Sequence, residues 1–141
     1  MVTRPIQPPA VAGLPDHVLA AGLALAGEPR WRESVLYHLT PIRRTFVEHV
    51  RRTEGPTGFY AEVLAQAPRL HHGVRLLTRE HAAIVAALAE LQRAADRPSV
   101  GPAELSRRVD ELLRALARHR QRGADLLWQA YQTDLGGESG R

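Results

Sequence analysis

One register governs the middle of this chain: Leu70, Val74, Leu77, His81, Ile84, Leu88 and Leu91 follow one another in steps of four and three. Only an α-helix gathers such residues on one face, so a strand is excluded and a long amphipathic helix is predicted. The same rhythm returns at Leu105, Val109, Leu112, Leu116, His119, Gly123, Leu126 and Ala130. It occurs a third time over residues 30–54, through Val35, Leu39, Ile42, Phe46 and Val50. Three faces of this kind cannot be left in water, and the simplest way to bury them is against each other.

Punctuation sets the boundaries. Gly55-Pro56 and Gly58 end the first of these helices. FYAEVLAQA (59–67) reads as a short helix stopped by Pro68. The stretch 96–102 reads as a loop, with Pro102 suited to a first helical position. The last helix is expected to fade at Asp134-Leu135-Gly136-Gly137. Upstream, LPDHVLAAGLALAG (14–27) could form a further short apolar helix, and residues 1–13, with three prolines, read as a disordered tail. The expectation is an all-α chain: an up-down four-helix bundle over residues 14–137, with a short extra helix.

Composition narrows the function classes. Cysteine is absent, which removes disulfides and thiolate ligands. No serine stands in a plausible His/Asp setting, and no strand precedes a glycine-rich phosphate loop. No apolar run reaches the ~20 residues of a transmembrane helix, and the N-terminus has no sustained apolar core of a signal peptide. A soluble, cytoplasmic protein without membrane attachment is expected. All 19 basic residues are arginine, but 15 acidic residues are spread among them and the formal charge is only +4. Arg43-Arg44, Arg51-Arg52 and Arg107-Arg108 therefore read as solvated helix faces, and no nucleic-acid partner is expected. Leu113, Leu127, Trp128 and Tyr131 widen the apolar arc of the last helix. That arc could cover the 14–27 segment or a second copy of the chain, as in a homodimer.

Three polar residues interrupt the seams. His49 lies three residues after Phe46; His81 and His119 each take the place of an apolar residue. An unpaired imidazole in a core costs about 1–3 kcal/mol. Three of them in one small bundle must satisfy one another or something bound between them. At about 1.5 Å per residue, His81 and His119 stand within roughly one turn of the same level on antiparallel neighbours. The height of His49 is less determined, because residues 59–67 intervene. His71-His72 reads as exposed, and His38, eleven residues before His49, is too distant to share an ion with it.

Three segments carry a resemblance: FVEHVRRTEGPTGFYAEV, LLTREHAAIVAALAEL and LLRALARHRQRGADLLWQAYQTDLGG. Together they resemble a hemerythrin-like (HHE cation-binding) domain over about residues 31–137. The matching elements are His49 to Glu54, Glu80-His81 to Ile84, and His119 to Asp125. The resemblance implies a four-helix bundle around non-haem iron, used to bind, sense or handle oxygen or other small redox-active gases. It also implies a carboxylate four residues after the helix histidines. Here those positions hold Thr53, Val85 and Gly123. The reading is therefore a divergent member with a metal set of His49, Glu54, His81 and His119, holding iron with a gas or redox role. The alternative is a metal-free interaction or regulatory module that has lost the di-iron site. Turnover as an enzyme is not the expectation.

Overall fold

The computed structural model describes the backbone of residues 30–139 and the side chains of residues 30–132. The element order is α1 (Trp31–Glu54), α2 (Phe59–Gln66), a 3-10 turn (Pro68–Leu70), α3 (His71–Asp96) and α4 (Pro102–Ser139). The elements among the described residues are all helices, and the three long ones pack as a bundle with α3 against both α1 and α4. The segment 14–27, expected as a further short apolar helix, and the expected tail 1–13 lie outside the described residues.

The seam positions are where the period puts them. Val35, Leu39, Ile42 and Phe46 of α1 are buried with Ile84, Leu88 and Leu91 of α3 and Leu105, Val109, Leu112 and Leu116 of α4. A second apolar cluster joins Phe59, Tyr60 and Val63 of α2 to Leu70, Val74, Leu77, Leu126 and Ala130. The histidine-bearing turns of α1, α3 and α4 lie between these clusters in sequence, so the polar layer is flanked by apolar packing.

Two local features differ from simple punctuation. Helix α1 runs through Pro41, which has no N–H to donate; the Thr40 hydroxyl donates to the Leu36 carbonyl close by. Helix α4 continues to Ser139, past the stop expected at residues 134–137. A glycine ends a helix when it adopts the left-handed conformation, and no described glycine has positive φ. Within a helix, glycine costs only about 1 kcal/mol relative to alanine.

The loop between α3 and α4 is held by the start of α1, which lies at the same end of the bundle. Arg32 of α1 stacks on Trp31 and donates to the carbonyls of Ala95, Arg97, Pro98 and Val100. One guanidinium thus satisfies carbonyls that the end of α3 leaves open.

Gly58 docks α2 against the end of α1. A Cβ there would lie 2.5 Å from the Arg52 carbonyl oxygen and 2.9 Å from that of Thr53. Both contacts are backbone and cannot swing aside. Gly58→Ala should therefore destabilise the fold by about 1–3 kcal/mol, the range typical of overpacking. Urea denaturation monitored by circular dichroism measures this.

Two of the three arginine pairs carry local ion pairs. Glu48 bridges Arg51 and Arg52, and Glu104 and Glu111 pair with Arg107 and Arg108. On the wide arc of α4, Leu113 and Leu127 pack on the core, whereas Trp128 and Tyr131 are exposed. No described helix is long and apolar enough to cross a membrane.

Candidate metal centre

Each long helix delivers one imidazole to the polar layer. His49, His81 and His119 are 7%, 1% and 2% exposed. His81 Nε2 lies 3.1 Å from His49 Nε2, and His49 Nε2 lies 3.3 Å from His119 Nε2. One nitrogen from each ring falls within 4.8 Å of the other two. Phe46 packs against all three rings, with centroid distances of 5.5–5.9 Å, and separates them from the main core.

The opposite nitrogens of two rings face carboxylates supplied by neighbouring helices. His81 Nδ1 is 2.6 Å from Glu54 of α1, and His119 Nδ1 is 2.9 Å from Glu80 of α3. Glu80 is tied in turn to Arg122 of α4. A carboxylate only accepts, so both Nδ1 atoms carry the hydrogen and both Nε2 atoms present lone pairs inward. Glu54 follows His49 by five residues, which turns it off the seam of its own helix and toward α3. Of the four residues read as a metal set, the structure gathers His49, His81 and His119 and places Glu54 one layer back, behind His81.

Hydrogen-bond accounting leaves this layer incomplete. His49 Nδ1 is buried without a partner. If the single proton of neutral His49 sits on Nδ1, it has no acceptor and three Nε2 lone pairs converge. If it sits on Nε2, it can serve the lone pair of His119 while the Tyr60 hydroxyl serves that of His81, and Nδ1 is an unsatisfied acceptor. An ion between the three Nε2 atoms would engage all three lone pairs at once. Metal–nitrogen bonds of about 2.0–2.1 Å in a tetrahedral shell put ligand nitrogens about 3.3–3.4 Å apart, close to the two separations that His49 Nε2 makes with His81 and His119. The two outer carboxylates match the charge of a divalent cation and have the placement of groups that orient ligating histidines.

Burial keeps the rings neutral, which ligation requires. It pushes His49 and His81 down to about 3, reinforced by neighbouring imidazoles, and His119 down to about 4. Glu54 shifts upward, also through burial.

Two residues of the layer went unselected in the sequence. Glu80 was visible only as the neighbour of His81, although a carboxylate beside a seam histidine naturally faces the next helix. Tyr60 gave no signal, being one aromatic in a short helix. Its hydroxyl is 3.2 Å from His81 Nε2. His71 and His72 are exposed as expected, and His38 lies outside the cluster, against Tyr37.

A comparison with protein families matches residues 59–140, more than half of the chain, to the hemerythrin HHE cation-binding domain. The match contains Glu80, His81 and His119, whereas His49 and Glu54 on α1 precede it. No curated protein and no solved structure shows a significant match.

Proposed function

Because the chain belongs to the hemerythrin HHE cation-binding family, we propose that His49, His81 and His119 hold a single metal ion, non-haem iron, and that the protein senses or handles oxygen or a similar small redox-active ligand. The observation that carries this reading is the convergence of three neutral imidazole nitrogens backed by two carboxylates. Imidazole suits iron as well as zinc, copper and nickel; the resemblance to hemerythrin-like domains favours iron. A pair of ions would need bridging carboxylates, and here Glu54 and Glu80 stand on the outward nitrogens instead. Bound iron would supply redox chemistry and a coordination position for a small ligand.

The chain's own groups would do the rest. Glu54 and Glu80 fix two tautomers and ring orientations. Phe46 and the apolar cluster around α2 limit access by water and by charged molecules, which favours a small neutral ligand over a bulky substrate.

Metal analysis of untagged protein, followed by anaerobic reconstitution with ferrous iron, tests the reading. One iron per chain is expected. Two per chain would point to a dinuclear centre, and none would leave a metal-free interaction module as the better account. Glu80→Gln keeps an acceptor for His119 but loses the charge, and should weaken iron binding about 10–100-fold without unfolding the protein. Chelator competition reads the change.

A further inference from the structure

We propose that the Tyr60 hydroxyl oxygen is a fourth protein ligand of the ion held by the three histidines. The inference rests on the three-histidine reading above and adds a residue to it.

Tyr60 is the second residue of α2, and its side chain is almost fully buried. The ring stacks on His81 at 5.6 Å and 13° between planes. Its Oη lies 3.2 Å from His81 Nε2. That nitrogen is the inward one, which also lies 3.1 Å from His49 Nε2. The orienting carboxylates use the opposite edge of their rings, on Nδ1. Tyr60 therefore stands on the side where the lone pairs converge. Its oxygen-to-nitrogen spacing equals the spacing between the imidazole nitrogens, as expected of neighbours in one coordination shell.

Ligand exchange at His81 makes the geometry consequential. With no ion, the phenol O–H donates to the His81 Nε2 lone pair. A cation on that lone pair would leave the phenol without its acceptor and with its oxygen beside the ion, which that oxygen would ligate as phenolate after releasing its proton. An anionic oxygen would favour the ferric over the ferrous state.

The test uses full-length protein loaded anaerobically with ferrous iron and then oxidised with ferricyanide. Visible absorption and resonance Raman spectra should show phenolate-to-ferric charge transfer and tyrosinate ring modes. The chain has three tyrosines, and Tyr37 and Tyr131 are exposed at 77% and 49%, so the signal isolates Tyr60. Tyr60→Phe keeps the ring and should lose those bands while retaining iron, bound at least tenfold more weakly in chelator competition. Ferric wild type without tyrosinate modes, or a variant with an unchanged spectrum, would overturn the proposal and leave the three-histidine reading intact. Failure of both proteins to take up iron would remove that reading and this ligand together.

Discussion

His81→Leu should strip the ion from the protein and lower the melting temperature of the iron-loaded sample by on the order of 10 °C, while leaving the metal-free protein nearly unchanged. The two halves have different causes. Ligand binding to the folded state stabilises it by about 4 kcal/mol when free metal exceeds Kd a thousandfold, and for a domain of this size that is on the order of 10 °C. Removing one of three imidazoles removes this linkage. Without metal, His81 is a buried polar group whose inward nitrogen faces His49 and Tyr60. Leucine has a similar volume and packs against the same Phe46 ring. Glu54 loses a partner, but its side chain is 32% exposed and rehydrates. The Tyr60 hydroxyl loses an acceptor but retains Thr53 nearby. These effects oppose one another, so the metal-free change should stay within about 1 kcal/mol of neutral or be stabilising. Calorimetry of both proteins, with and without iron, separates the cases. Equal losses in both states would mean that His81 is a structural core residue, and the case for a ligand would fail.

The sequence revealed the depth of His81 and His119 because depth in a helix follows from period and length. Steps of four and three fix the face, and 1.5 Å per residue fixes the height. The structure brings these two rings to 4.7 Å between centroids. His49 was legible as a seam residue but not in height, since the α2 insertion changes where α1 meets its neighbours. The roles of the carboxylates were hidden for a different reason. Spacing within one helix says that Glu54 leaves the seam, but not which neighbouring helix receives it. In the fold it serves His81, and Glu80 of that same helix serves His119. Tyr60 depends on the docking of α2, which Gly58 permits through a backbone approach that periodicity does not describe. The end of α4 was misplaced because Gly136-Gly137 lacks the left-handed turn that the stop requires.

Acid should unfold the metal-free protein through the same three histidines. In the unfolded chain a histidine titrates near 6.5. In the fold, burial lowers His49 and His81 to about 3 and His119 to about 4. Between pH 6.5 and 4 the unfolded chain thus binds more protons than the folded one, and stability must fall as pH falls. The contribution is complete above about pH 6.5. Each histidine removes about 1.4 kcal/mol per pH unit while it is protonated only in the unfolded state, so three acting together remove about 4 kcal/mol per unit. Glu54 works in the opposite sense, because its raised affinity means that the folded state protonates it first, but it is one group against three. A drop of two units approaches the 5–15 kcal/mol that a typical domain possesses, which puts cooperative unfolding near pH 4–5. Urea denaturation at several pH values gives the slope directly. In His81→Leu the slope should fall by about a third, because one of the three groups is gone. A flat profile between pH 6.5 and 4.5, or an unchanged slope in that variant, would show that burial does not hold the imidazoles neutral against acid, and the dry, neutral layer that the metal reading draws on would be absent.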